Sequence, residues 1–194
     1  MNPSVVLGAT GGQGGAVVDA LLAAGLPVRA VVRDPGSHFE SKRRVEEQLI
    51  ASGLAHTIVG PTYFFDNLLG GDDLERGEIE LAVRPERPLQ QLARRDLGRF
   101  VAAVFADPAR HTGLRIDVAC DDPTPQEMAT TVSGIVGRTV AARNYPVATI
   151  RAPDMRAKFV YLEQTGYHGD LEALRRDYPS VGWQSFDQWA KEAL

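Results

Sequence analysis

Cysteine is nearly missing from this chain of 194 residues. Cys120 stands alone, so no internal disulfide can form, and a reducing compartment, the cytoplasm, is the expected location. In its apolar strand Cys120 reads as a core residue. Metal-ligand patterning is also lacking: His38, His56, His111 and His168 lie far apart, without the carboxylate or cysteine spacing of a ligand set. The Gly-x-Ser-x-Gly signature of a hydrolase nucleophile does not occur. No apolar run is long enough to span a bilayer, and no basic stretch precedes the first strand, so neither a membrane segment nor a signal peptide is expected. Charge of neither sign dominates. The net charge of −4 gives no reason to expect a nucleic-acid face. The 44% of hydrophobic and 24% of charged residues suit one globular unit with a sizeable core.

The most informative segment lies at the start. Val5-Val6-Leu7 runs into Gly8-Ala9-Thr10-Gly11-Gly12-Gln13-Gly14, and an apolar helix pattern follows. Strand, glycine turn and helix come in the order that dinucleotide binding requires. Gly8 lets the chain turn out of the strand. Gly11 leaves room for a pyrophosphate, and Gly14 lets the helix pack close to the strand. Helix N–H groups and the positive end of the dipole then face the phosphates.

The first helix is expected over about Gly14 to Ala24, with Val17 stacked on Leu21 and Val18 on Leu22, and Gly25 ending it. Val28 to Val32 reads as a second strand leading to the turn Arg33-Asp34-Pro35-Gly36. Ser37 and Glu40 form a capping box for a second helix with Phe39, Val45, Leu49 and Ile50 on its buried face. On its wet side Lys42 and Glu46, and Arg43 and Glu47, sit at helical pair spacing. Gly53 closes that helix. His56 to Val59 is expected as a third strand, stopped by Gly60-Pro61. Thr62 to Leu69 begins a short helix, and Ile79 to Val83 reads as a short strand. Asp96 is expected to cap a helix over Leu97 to Phe105 rather than act as a catalytic acid. Leu114, Ile116 and Val118 alternate with polar residues as a strand does. Thr124-Pro125-Gln126-Glu127 is a strong helix start, and that helix ends near Gly134 to Gly137. Two or three short helices fill the last third, the final one capped by Ser185 and carrying Trp189. There is no internal repeat and no low-complexity segment.

Several of these segments together resemble a known family. Gly-Ala-Thr-Gly-Gly-Gln-Gly (8–14), Val-Arg-Ala-Val-Val-Arg-Asp-Pro (28–35), His-Phe-Glu-Ser-Lys (38–42) with Val45-Glu46, and Pro-Thr-Tyr-Phe-Phe-Asp-Asn (61–67) are similar to motifs of the NmrA-like proteins. These are atypical short-chain dehydrogenase/reductase proteins that bind NAD(P). The likeness continues through Arg95-Asp96-Leu97-Gly98-Arg99, Thr124-Pro125 and Thr165-Gly166-Tyr167. It covers almost the whole chain in family order.

The resemblance also exposes a shortfall. Relatives carry further strands and helices between the second strand and the His-Phe-Glu-Ser-Lys helix, whereas here Pro35 meets that helix almost directly. Two βα units and a strand, roughly 70–90 residues, are lacking. In the doubly wound order the strand at 4–7 is then left with an open edge, and the strand at 56–59 lacks its family neighbour. Three explanations are open. The segment exists but is missing from this sequence; the chain is a deleted or mispredicted product; or a shortened protein takes another sheet order, by exchange in a dimer.

The fold expected is α/β, a Rossmann-like doubly wound parallel sheet, incomplete, with a smaller C-terminal α+β portion. Residues 1–70 form the dinucleotide-binding portion, interrupted after about Pro35. Residues 71–194 form the substrate-side portion, whose strand at 114–119 returns to the main sheet. The candidate cofactor residues are Gly8, Thr10, Gly11, Gln13, Gly14, Arg33, Lys42, Pro61, Thr62 and Tyr63. Arg33 ends the second strand, where a guanidinium can pair with the 2′-phosphate of NADP. An ordinary surface arginine is the other reading. Arg29 and Asp34 read as solvated.

In the family pattern a Tyr and a Lys four residues later share one helix face. The Lys holds the nicotinamide ribose and the Tyr protonates the substrate. Here Lys42 keeps the spacing but His38 replaces the Tyr. His38 and Lys42 are therefore the candidate catalytic pair, with a plain first-turn residue and a solvent lysine paired with Glu46 as the alternatives. By resemblance, Pro61, Thr62, Tyr63 and Phe64 touch the nicotinamide and wall a substrate pocket, while core packing takes one of Phe64 and Phe65. Gly60 stands where many relatives carry an arginine, and Asn67 is expected to hydrogen-bond the loop.

These features imply an NADP(H)-binding redox sensor or regulator, with NAD possible and with a regulatory protein or a second copy as partner. The competing reading is an oxidoreductase passing hydride from NADPH to a small quinone, azo or carbonyl acceptor. A nonfunctional truncated chain is a third. No metal is expected.

Overall fold

A computed structural model describes residues 4–7, 12–26, 28–31 and 46–194. Strand β1 (Ser4–Leu7) is followed by helix α1 (Gly12–Ala23), and β2 (Val28–Val31) returns parallel to β1 in the register Ser4 to Val28. This is the β-α-β unit expected from the sequence, with the helix starting two residues earlier. In α1 Leu21 is fully buried, but Leu22 is 59% exposed and leaves the expected apolar stripe.

Residues 46–51 are helical (α2). Ile50, expected on the buried face of that helix, is exposed. Leu49 and Ile50 are consecutive, so a single helix face does not hold both. Strand β3 (Ile58–Pro61) follows, then β4 (Tyr63–Phe64), a 3₁₀ turn over Phe65–Leu69, β5 (Glu78–Leu81) and β6 (Gln91–Leu92). Helix α3 (Arg94–Ala106) and the single turn α4 (Pro108–His111) lead to β7 (Arg115–Val118). Helix α5 (Pro125–Val136), β8 (Ala141–Asn144), α6 (Pro153–Gln164), α7 (Leu171–Asp177) and α8 (Phe186–Ala193) complete the order.

All four strand pairs among the described residues are parallel: β1 with β2, β3 with β7, β4 with β6 and β5 with β8. Parallel pairs need crossovers, and the helices between them supply these. The third strand lies two residues later than expected. Gly60 and Pro61 belong to it because β7 pairs alongside, Gly60 opposite Asp117 and Pro61 opposite Val118. The strand expected to lack its family neighbour thus has β7 beside it. The close approach shows at Gly60, where an added Cβ would stand 2.2 Å from Asp117 Oδ1.

Two helix starts match their sequence signals closely. Thr124 and Glu127 form a reciprocal capping box with Pro125 at the first helical position, and Ser185 and Gln188 form another. Gly137 closes α5 in the left-handed conformation at φ 69°. Asp96 corrects the expectation placed on it. Helix α3 starts at Arg94, and Asp96 lies in its first turn with no capping role. Its carboxylate instead accepts the backbone N–H of Gln184 at 2.8 Å, on the segment leading into α8. A tertiary partner has taken the place of the local one.

The core runs from Phe64 to Ala190 and holds β5, β6, α3, α5 and α8 around Phe65, Phe100, Leu92 and Val118. Phe65 packs on Phe186 and Trp189, with ring centroids 5.4 and 5.5 Å away. Cys120 is buried there as expected, and burial pushes its thiol pKa up. No helix among the described residues is long and apolar enough to cross a membrane.

Candidate functional site

One cavity of about 510 Å³ joins the start of α1 to the carboxyl end of β3. That volume lies in the range of roughly 300–1,000 Å³ usual for small-molecule sites. Gln13 lines one side. Pro61, Thr62, Tyr63 and Phe64 form the wall, joined by Asn67, Lys158 and Tyr167, with Glu46 and Arg115 at the edge. In open α/β sheets, ligands lie beyond the carboxyl ends of strands, and this cavity has that position.

The segment 61–64 is fixed at its base. The Thr62 N–H and the Thr62 hydroxyl both donate to the Val118 carbonyl, each at 3.1 Å. Thr62 is thereby buried at the end of β7 and sets the path of the next two residues. Tyr63 turns to the cavity. Its ring packs edge-on against Phe159 at 6.4 Å. Burial, reinforced by Tyr145, pushes the Tyr63 phenol up to about 12, so it stays protonated across the physiological range. Tyr167 is likewise held at about 12, again chiefly by burial. Phe64 serves both roles expected for this loop, buried in the core and lining the cavity, whereas Phe65 is wholly core.

Among the described residues two cations line this cavity. Arg115 is ion-paired with Glu46 and lies 3.4 Å from Asp117. Lys158, from α6, sets its ammonium 4.7 Å from the centre of the Tyr63 ring and 5.6 Å from that of Phe159. Such placement over aromatic faces is favourable and holds the ammonium against the wall. The start of α1 is closely approached at Gly12. A Cβ there would meet the Arg94 guanidinium at 2.8 Å, and that guanidinium also lies 6.0 Å from the Phe64 ring centre.

Of the residues picked out from the sequence, Gln13, Pro61, Thr62 and Tyr63 meet in this one cavity. Gly14 sits in the first turn of α1. Gly8, Thr10, Gly11, Arg33, His38 and Lys42 lie outside the described residues, as do Ser37 and Glu40 of the expected capping box. Asn67 lines the cavity beside the loop. Lys158 and the lining role of Tyr167 carry no signal that sequence reasoning picks up. The Thr165-Gly166-Tyr167 motif is visible in the sequence, but only the packing of α6 beside β4 shows where it points. Among the described residues no group of three or more His, Cys, Asp or Glu is placed to hold a metal ion.

Solved structures share this fold. A crystal structure of NmrA, a negative transcriptional regulator, in complex with NAD aligns at a TM-score of 0.71 with 14% identity, covering 98% of this chain and 95% of that one. The same regulator in complex with NADP aligns at 0.60 with 19% identity, over 93% and 68% of the two chains. The triphenylmethane reductase of Citrobacter sp., complexed with NADP(H), aligns at 0.71 with 15% identity over the full length of both. Among curated proteins no sequence matches. The profile of the NmrA-like family matches in two pieces, residues 4–38 and 35–177, which overlap over 35–38. With the α/β Rossmann-like fold and family motifs from the glycine turn to Tyr167, that match establishes that the chain belongs to the NmrA-like family.

Proposed function

We propose that this chain binds a nicotinamide dinucleotide, NADP(H) in preference to NAD(H), and acts as a redox sensor or regulator. The observation that carries this reading is that Gln13, at the start of α1, shares one cavity with Pro61, Thr62 and Tyr63 at the carboxyl end of β3. The first site suits phosphates and the second a nicotinamide ring, so their meeting suits a molecule with both. The residues present fit the group: the crowding of Gly12 by Arg94 leaves a side-chain-free helix start flanked by a cation.

In this reading Gly8, Thr10, Gly11, Gln13 and Gly14 hold the pyrophosphate. Arg33 pairs with the 2′-phosphate, Lys42 holds the nicotinamide ribose, and Pro61, Thr62 and Tyr63 orient the ring. The related regulator crystallised with NAD and with NADP supports a nicotinamide dinucleotide as the ligand. Sensing requires that the oxidised and reduced forms favour different conformations of the protein.

A second reading, reductase activity, draws support from the same cavity, which Tyr63, Tyr167 and Lys158 line together with Gln13. Hydride is the chemistry that the dinucleotide supplies when bound. His38 would then give a proton to a quinone, azo or carbonyl acceptor, and Lys42 would position the ribose.

Calorimetric titration with NADP⁺ and NADPH tests the binding. Low-micromolar or tighter affinity is expected. Absence of binding by either form overturns the proposal and leaves the reading of a nonfunctional shortened chain. Oxidation of NADPH with an acceptor panel, lost in Lys42→Ala, would select the reductase over the sensor.

A further inference from the structure

Tyr167 lines the cavity but belongs to neither neighbouring helix. It lies on the strap between the end of α6 at Gln164 and the start of α7 at Leu171. Its ring meets that of Tyr161 edge-on with centroids 6.4 Å apart, and Tyr161 is itself exposed, so this contact is a weak anchor. The firmer hold comes from one short segment, residues 84–90. The Arg84 N–H donates to Glu163 at 3.0 Å, and its guanidinium pairs with the same carboxylate. Arg87 Nε donates to the Leu162 carbonyl at 2.8 Å. These contacts fix the last turn of α6. Gln90 then takes the strap itself. Its Nε2 donates to the Gly169 carbonyl and its Oε1 accepts the Gly169 N–H, both at 2.8 Å. One amide thus pairs with both backbone groups of one residue, as a neighbouring strand would. The approach is close: a Cβ added at Gly169 would stand 3.2 Å from Gln90 Oε1 and 3.5 Å from the Asp117 carbonyl oxygen. Gln90 is suited to anchor the strap because its own backbone is fixed. The Leu89 N–H donates to the Pro123 carbonyl at 3.2 Å, and the Gln91 N–H to the Asp121 carbonyl at 2.7 Å. Leu89 and Gln91 are buried, and Gln90 between them turns its side chain the other way.

We infer that Gln90 is a positioning residue for the ligand site: without lining the cavity, it sets Tyr167 in the wall by clamping Gly169. The Arg84 and Arg87 contacts lie ahead of Tyr167 and the Gln90 clamp just beyond it, so the tyrosine is held from both sides. The inference rests on the dinucleotide reading in taking this cavity as the place where ligand binds. The clamp itself stands on the geometry of Gln90 and Gly169.

The test reads Tyr167 in two ways in the full chain. Nitration by tetranitromethane at mildly alkaline pH, located by mass spectrometry, reports how open each tyrosine is, with exposed Tyr161 as the internal reference. Calorimetric titration with NADP⁺ reports the site. In the wild-type protein Tyr167 is expected to react more slowly than Tyr161. Gln90→Met, close in length but without the amide, is expected to bring the Tyr167 rate up toward that of Tyr161. It is also expected to weaken NADP⁺ by about five- to tenfold. In the Tyr167→Ala background the same change is expected to leave NADP⁺ affinity unaltered, since effects carried through one residue do not add. Gln90 is half-buried, and Gln90→Ala gives the same reading if Gln90→Met disturbs the packing. Unchanged nitration of Tyr167 in both Gln90 variants overturns the inference. So does an NADP⁺ loss of equal size in the Tyr167→Ala background, or unchanged NADP⁺ affinity in a variant whose Tyr167 has become reactive. Faster nitration in the variants, with no NADP⁺ binding by the wild-type protein, supports the clamp and counts against the dinucleotide reading alone.

Discussion

Gly98 of α3 lies directly against Ala16 of α1: a Cβ added at Gly98 would stand 2.2 Å from the Ala16 carbonyl oxygen and 2.8 Å from its carbonyl carbon. Backbone cannot yield as a side-chain tip can, so the two helices are held at a distance that only glycine permits. Gly98→Ala is therefore expected to lower stability by about 1–3 kcal/mol, as overpacking does elsewhere. Urea unfolding measures it. Because α1 carries Gln13, dinucleotide affinity is expected to fall in the same variant. An unchanged unfolding midpoint would mean that the helices separate at no cost.

Asp96 is fully buried, and burial outweighs its bond from the Gln184 N–H, so its carboxyl pKa is raised above the usual value. The folded state then holds this proton more tightly than the unfolded state. Its contribution to stability is complete below the ordinary carboxylate pKa and is lost as pH rises through the raised value. Asp96→Asn keeps an acceptor for Gln184 and removes the charge. Stability at neutral pH is expected to rise, and its decline with pH across the carboxylate range to flatten. Asp96→Ala leaves the Gln184 N–H without its partner and is expected to cost about 1–3 kcal/mol. Thermal melts of the three proteins from pH 4 to pH 8, on the order of one per unit, decide the matter.

Tyr63 and Tyr167 are both pushed up to about 12 by burial. Unfolded tyrosine ionises near 10. Stability from these phenols is present below about 10 and is lost as pH rises toward about 12. Phenolate absorbance is expected to appear in two stages, the ordinary tyrosines first. Tyr63→Phe is expected to remove part of the later stage. If it removes part of the earlier one, the Tyr63 hydroxyl is open to water.

Arg33, placed by its sequence position at the end of the second strand, is assigned to the 2′-phosphate. Arg33→Ala is expected to weaken NADPH by tenfold or more, about 1.4 kcal/mol or above, and to leave NADH nearly unchanged. Parallel calorimetric titrations with the two cofactors give the ratio. Equal losses would remove the argument for NADP.

What the sequence discloses depends on how local the cause is. Thr124 with Glu127 and Ser185 with Gln188 are closed by atoms three residues apart, and both helix starts are legible. The β-α-β unit is legible for the same reason, since glycine turn and apolar period sit in one short stretch. Asp96 reads wrongly as a cap because its partner, Gln184, is 88 residues away. The bounds of β3 read wrongly because β7, and not Gly60-Pro61, determines where pairing stops. Half of the candidate site is visible through family-like motifs at Gln13 and at 61–63. Lys158 is invisible, since nothing in the sequence of α6 says that it will lie over Tyr63.

The contact of Phe65 with Phe186 and Trp189 gives α8 the character of a stopper seated from below. Phe65 follows Tyr63 and Phe64 without a spacer, so the floor of the cavity and the seat of the stopper are one piece of chain. Whatever loosens α8, whether a bulky fusion beside Leu194 or trimming past Trp189, reaches the ligand wall without touching any residue that lines it. A variant altered at that helix would show weakened ligand binding for a mechanical reason.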